Sequence, residues 1–428
     1  MQKYFAIKLT KFNWFIIMLK KQLKKIKFLR ELNRILYRMN IKAKFRKPLI
    51  DYLLKSKKLK ELNRKDLITR ANNCYQYHHP EVLKLVDAYY LEDTPSEVKE
   101  ELKFRECEIS SPHVFEINNV YLIGKYAVGL TEQGEFIRET SVPYYCNNVY
   151  LHTADSISLR GLTSYYMSKS SKELPIACSL INSWNHNNYY QWVINTLTRL
   201  EGIKYFENKT GLKVPLIIHS EPNKWQIESL KYLGYQDEDF IFWRNQKTLV
   251  RKLIVPSFRN LYQDDNTYSG YTSPQGCRWV AEALKQYIRK NCTLNKDVHP
   301  YVYISRRKAV GRRILNESQV YECLQSYNFR SYILEELSLA EQINLFSQAK
   351  FIIAPHGAGL SNIIYSTDAK VIEICGETPP TLNFAAIART LGFQYGCLTN
   401  PNNNNLSKED GNIQVNIERL IAMIDMLM

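Results

Sequence analysis

Phe351-Ile352-Ile353-Ala354-Pro355-His356-Gly357-Ala358-Gly359-Leu360-Ser361-Asn362 is the stretch on which the fold turns. A short apolar run stops at a proline, two glycines follow, and a mostly apolar segment continues to about residue 365. The pattern predicts a buried strand, a tight turn and a short helix. In an open parallel sheet, ligands bind outside the carboxyl ends of the strands. Gly357 and Gly359 would leave bare backbone there for an anion at the helix N-terminus, and His356 could donate to a phosphate oxygen. The plain alternative is a packing turn with a structural histidine.

The surrounding sequence repeats the alternation. Downstream, strand patterns at 301–305, 332–334, 371–375 and 393–398 alternate with helical patterns at 317–327, 338–349, 381–391 and from about 414. Ser338-Leu339-Ala340-Glu341 reads as a capping box opening one of these helices. Upstream, 176–180, 214–219, 240–243 and 250–255 read as strands and 189–206, 225–233 and 277–291 as helices, while 104–160 reads as short hairpins. The expected fold is α/β, with two facing Rossmann-like domains, a small β-rich segment and a basic helical N-terminal arm. The expected divisions are an arm at 1–70, a first domain at 71–275 that includes the β-rich segment, and a second domain at 276–428.

Charge is distributed unevenly. Of 58 Lys and Arg, 21 lie in residues 1–66 against four acids, so the whole formal charge of +16 belongs to that segment. A neutral body argues against a groove that tracks nucleic-acid phosphates. The apolar run at 12–19 is too short to span a bilayer. Residues 20–47 carry apolar positions at helical spacing among Lys and Arg, as in a helix lying on an anionic membrane surface; a solvated or packed helix is the plain alternative. Nine Cys without a CxxC pair suit reduced thiols and give no zinc site. The expectation is a cytoplasmic protein, peripheral on the inner face of the membrane.

Two further clusters carry chemistry. Tyr303-Ile304-Ser305-Arg306 ends a predicted strand and leads through a basic loop to Arg312 and Arg313. Arginine's planar fork suits a diphosphate, although a basic run is more often a solvated loop. Asn188-Tyr189-Tyr190-Gln191-Trp192 leads onto a helix, where Gln191 and Asn195 share a face. Such polar and aromatic groups can line a sugar site or serve as caps and core.

These three segments together resemble glycosyltransferase family 61. The similarity runs through Tyr303–Arg306, Arg312–Glu317, Glu335–Ser338, His356–Asn362 and Val371–Ile374, with an upstream part at Asn188–Leu200. The resemblance implies the GT-B arrangement, a nucleotide-sugar donor held by the second domain, an acceptor on the first, and transfer with inversion. A UDP-sugar is the expected donor, and polysaccharide biosynthesis the expected setting. Ser305, Arg306, Arg312, His356, Gly357, Ala358, Gly359, Asn362 and Glu373 are the expected donor contacts, with Glu373 on the ribose; a buried structural carboxylate is the plain alternative for Glu373. Asn188, Tyr189, Gln191 and Asn195 are the expected substrate contacts.

The chain departs from the family's upstream motif, Asn-Tyr-x-His-Trp followed by an Asp and Pro-Arg-Leu, by placing Gln191, Asn195 and Thr198 there. Amides cannot act as a general base. His186, Asp264 and Asp265 are then the candidate catalytic groups, and a family member that binds without turnover is the alternative. No DxD pair lies in the matched donor region, so no metal is expected. A nicotinamide enzyme is disfavoured because no GxGxxG follows an early strand.

Overall fold

The computed structural model describes residues 60–103, 106–141, 172–182, 185–244, 246–261, 270–294, 298–376, 381–400 and 411–428. The basic arm up to residue 59 lies outside them, as do Asp264 and Asp265.

The architecture is mixed α/β, built on two parallel-rich sheets and a separate two-stranded hairpin of Glu81–Lys84 and Glu106–Ile109. The second sheet has six strands, all parallel, in the spatial order Arg330–Tyr332, Tyr301–Ile304, Phe351–Pro355, Lys370–Ile374, Gln394–Leu398, Ala88–Tyr90. Every residue of Phe351–Pro355 is buried, as expected of a strand covered on both faces. Its five C-terminal strands run in the order 2-1-3-4-5. Strand order therefore reverses between Tyr301–Ile304 and Phe351–Pro355, and a crevice opens at such a point in doubly wound sheets. Ser305-Arg306 and His356-Gly357 follow these two strands directly.

The first sheet has nine strands. Thr248–Pro256, Lys172–Ser179, Leu216–Ile218 and Phe240–Phe242 form a parallel half. The β-rich segment is not a separate layer. His113–Ile123 pairs antiparallel with Thr248–Pro256 along its length, and Val128–Leu130 and Glu135–Ile137 continue the same sheet. Residues 60–70, assigned by sequence to the arm, belong to this body: Lys60–Leu62 pairs parallel with Glu135–Ile137, and Arg64–Arg70 is a helix capped by Asn63. The contribution of Ala88–Tyr90 to the second sheet likewise crosses the expected division at 275.

The 18-residue helix Pro274–Asn291 joins the two halves. Ser273 caps it by accepting from the Gly276 N–H, and proline occupies the first turn, where no N–H is needed. Its buried stripe of Cys277, Val280, Ala281, Leu284 and Ile288 keeps helical spacing. It contacts Leu197–Arg199 and Lys224–Tyr232 on one side and Leu339–Gln348 and Ala358–Tyr365 on the other. A single apolar core consequently runs from Leu200 and Ile203 through Val280 to Ile352 and Ile363. Each such fully buried side chain contributes about 1.5–3 kcal/mol.

Candidate functional site

The donor-type cluster sits at the strand-order reversal. Ser305 is 3% exposed, and its hydroxyl accepts from the Arg307 N–H at 3.3 Å, which shapes the turn. Arg306 doubles back: one guanidinium nitrogen donates to the Gly311 carbonyl at 3.0 Å, while its buried Nε–H has no partner among the described residues. Burial and, secondly, the positive charge of Arg312 push the Arg306 guanidinium below its usual range. Arg312 itself is held at φ 57°, a left-handed conformation that costs a non-glycine residue roughly 1–2 kcal/mol. An unfilled donor, a destabilised cation and a strained loop are what an absent anion would relieve.

The two glycines have different neighbours. A Cβ at Gly357 would run into the Arg306 guanidinium, whereas a Cβ at Gly359 would meet Leu334 Cδ1 at 2.6 Å. Gly357 makes room for the arginine and Gly359 for apolar packing. Ala358 opens the 3-10 helix Ala358–Tyr365 and is partly exposed.

His356 is 5% exposed, and its Nδ1 meets Glu373 Oε1. The other Glu373 oxygen accepts from the Tyr395 hydroxyl at 2.5 Å, and Glu373 is fully buried. Both oxygens are thus engaged inside the sheet, and with no exposed surface Glu373 is a buried structural carboxylate and does not face the ribose hydroxyls expected from sequence. Burial, reinforced by Glu373, keeps the Tyr395 hydroxyl well above its usual range, so it is a donor. His356, Glu373 and Cys375 offer ligand atoms within 4.8 Å of one another. This set suits hydrogen bonding better than a metal: the carboxylate is already satisfied, and Cys397 and burial hold the Cys375 thiol protonated.

The upstream segment meets this cluster. The Tyr189 hydroxyl donates to Asn362 Oδ1 at 2.6 Å, and Asn362 Nδ2 donates to Gln342 Oε1 at 3.0 Å. Asn362 is fully buried and ties the halves together instead of facing a ligand. Tyr190 and His356 both pack edge-on against the Phe384 ring, at centroid distances of 5.7 and 5.1 Å. Gln191–Thr196 is a π-helix, a rare form that often marks functional sites. Within it, Asn195 Nδ2 donates to Gln191 Oε1 at 2.5 Å, and both residues are buried. This bond and their burial hold both amides inside the fold. Asn188 is exposed and accepts from the Gln191 N–H at 3.1 Å.

His186 lies beyond the parallel half of the first sheet, with its ring 4.5 Å from that of His219. Its Nδ1 is buried without a partner among the described residues. His219 Nε2 donates to Asn185 Oδ1 at 2.9 Å, and burial followed by the neighbouring His186 pushes its pKa down to about 4. Sequence reasoning missed His219, Phe384 and Tyr395. Each lies in or beside an apolar segment, and tertiary packing, for Tyr395 through the pairing of its strand with that of Glu373, brings it to its neighbours. A large cavity of about 800 Å³ lies elsewhere, lined by Tyr77, His78, Glu81, Glu201, Gln275 and Trp279 among others. Its carboxylates are already engaged: Glu201 pairs with His78 and Arg259, and Glu81 accepts from the Gln275 N–H at 3.1 Å.

Residues 189–372 match the family model Glycosyltransferase 61, a span that opens on Tyr189 and closes one residue before Glu373. This segment is a family 61 glycosyltransferase region. A beta-1,2-xylosyltransferase of Oryza sativa subsp. japonica is 27% identical over 101 residues, which cover 22% of this chain and 19% of that enzyme. The chain therefore matches only about a fifth of its curated relative. Two structures of the iron-containing dodecameric glycosyltransferase TibC from E. coli are also similar, one of them in complex with ADP-D-beta-D-heptose. Each is 13% identical and covers 72% of this chain, spanning 79% and 76% of TibC with TM-scores of 0.25 and 0.27. The family 61 region contains Ser305, Arg306, His356 and Gly357 in one continuous match.

Proposed function

We propose that the chain is an inverting glycosyltransferase of the two-domain GT-B type. It moves a sugar from a nucleotide-sugar, in our reading a UDP-sugar, to a hydroxyl of a glycan acceptor. The observation that carries this reading is the meeting of Arg306, with its unfilled buried donor, and the His356-Gly357 turn at the reversal of strand order inside a family 61 region. The xylosyltransferase relative supports a pentose as the transferred sugar.

In this mechanism the acceptor hydroxyl gives its proton to a base as its oxygen bonds to the anomeric carbon. The bond from that carbon to the diphosphate breaks on the opposite face, and the nucleoside diphosphate leaves with the electron pair. Arg306, His356 and backbone N–H groups after Gly357 stabilise the developing charge, which is where preorganised donors contribute most. Arg312 supplies further positive charge. His186 is our choice of base because its Nδ1 is unpartnered and His219 beside it is neutral at pH 7. The parallel half of the first sheet would carry the acceptor, and the second sheet the donor. The basic arm would dock the enzyme on the anionic inner face of a membrane, in polysaccharide biosynthesis; no described helix is long and apolar enough to cross a bilayer.

One observation favours a second reading. Gln191 and Asn195 are amides sealed against each other, so a chain that binds a nucleotide-sugar without turnover accounts for the altered motif. Thermal shift with UDP, GDP, ADP and CDP, followed by donor hydrolysis and transfer assays, separates the two. A stabilising diphosphate with turnover lost in His356→Ala supports transfer. A stabilising diphosphate without turnover favours binding only, and no stabilisation by any of them removes the donor site. A ligand at 100 times its Kd adds about 2.7 kcal/mol.

A further inference from the structure

We propose that Glu373 and Tyr395 are a buried positioning pair that fixes His356 as a hydrogen-bond donor to the diphosphate of the nucleotide-sugar. The inference rests on the donor-site reading above. A carboxylate with no exposure, between Ile372 and Ile374 in a parallel sheet, costs several kcal/mol unless it is paired and hydrogen-bonded. An apolar residue would pack there without that cost, so the acid needs a reason beyond stability.

Register supplies the geometry. Glu373 sits opposite Ala354 on one side and Cys397 on the other. His356, two residues beyond Ala354, and Tyr395, two residues before Cys397, therefore share its face. Glu373 accepts from the protonated Tyr395 hydroxyl on one oxygen and from His356 Nδ1–H on the other. Accepting from Nδ1 orients the ring and leaves Nε2, which has no partner among the described residues, as the atom available to a ligand. A ring held at Nδ1 in this way can meet a bound diphosphate only through Nε2. Other groups around the ring do not compete for this role. Cys375 and Cys397 are free thiols that hydrogen-bond to each other, the neutral Cys375 thiol also lies against Glu373, and Phe384 is uncharged, while Arg306 reaches the same turn at Gly357.

The test uses the full chain with UDP as probe, read by titration calorimetry and by proton NMR of the exchangeable imidazole protons. Wild type should show a far-downfield Nδ1–H resonance that is absent in His356→Gln. Glu373→Gln should move it upfield and weaken UDP by about tenfold, the scale of losing one charge-assisted hydrogen bond. Tyr395→Phe should leave the resonance in place but shifted, with a smaller loss of affinity. It keeps the experiment decisive should Glu373→Gln fail to fold. An unchanged resonance and Kd in folded Glu373→Gln, or in Tyr395→Phe if that is the folded variant, overturns the proposal alone. So does a stoichiometric metal that Glu373→Gln releases. Wild type that binds none of UDP, GDP, ADP and CDP overturns the donor-site reading itself.

Discussion

The Arg306 guanidinium lies against the Cα of Gly357, so that a methyl carbon placed there would come within 2.8 Å of its Cζ. The backbone at Gly357 is extended, at φ 174°, and any residue could adopt it. The glycine is needed for space, and the space belongs to the arginine. Gly357→Ala should therefore displace Arg306 and weaken UDP by about tenfold or more. The accompanying destabilisation should be about 1–3 kcal/mol, as for an overpacked site. Gly359→Ala presses instead on the end of the Leu334 side chain and should lower Tm with little effect on UDP affinity. Calorimetry on the two variants distinguishes these outcomes.

Tyr189→Phe removes the hydroxyl that donates to the fully buried Asn362 and leaves its Oδ1 without that proton. The expected cost is about 1–3 kcal/mol, the penalty for stranding a buried polar atom. Denaturant unfolding measures it. Asn362→Leu in the same background should cost less than the two changes summed, because they share one interaction.

Asn195→Asp restores an acid of the kind the family motif holds there. In this chain it would set a carboxylate oxygen against Gln191 Oε1 at a position with no exposure. We expect loss of stability on the order of 2–4 kcal/mol, as for an unpaired buried charge, and no gain in transfer rate. A rise in rate would identify position 195, rather than His186, as the place of the base.

His219 titrates at about 4 in the folded chain against 6.5 for a free histidine, mainly through burial. The unfolded chain thus binds the extra proton first as pH falls. The favourable effect of keeping His219 neutral is complete above pH 6.5, is lost progressively down to pH 4, and changes no further below that. Thermal unfolding should show Tm falling with pH across this window. His219→Gln, which can still donate to Asn185, should flatten that part of the curve.

Much of the second sheet was legible because its strands are buried on both faces and read as unbroken apolar runs between helical periods. Ser305-Arg306 and His356-Gly357 were legible as a pair because each follows such a run. Glu373 was visible as an acid in an apolar strand, but its partners were not. Tyr395 reads as one more aromatic in Gln394–Leu398, and only the pairing of Glu373 with Cys397 places it on the same face. Gln191 and Asn195 were correctly put on one helical face, yet spacing cannot tell two amides that face a ligand from two that face each other. The strand Ala88–Tyr90 was hidden for a different reason: three residues carry no periodicity, and its partner lies far along the chain.

That strand has a consequence for how the protein is made. Ala88–Tyr90 leaves the ribosome well before Gln394–Leu398, with which it pairs, so its slot does not exist until roughly 300 further residues have been synthesised. At about 5–20 residues per second, this segment waits on the order of 15–60 s with its backbone donors and acceptors unpaired. The second sheet closes only once Gln394–Leu398 has emerged, and until then Ala88–Tyr90 is an unpaired segment that a chaperone could shield or a second nascent chain could capture.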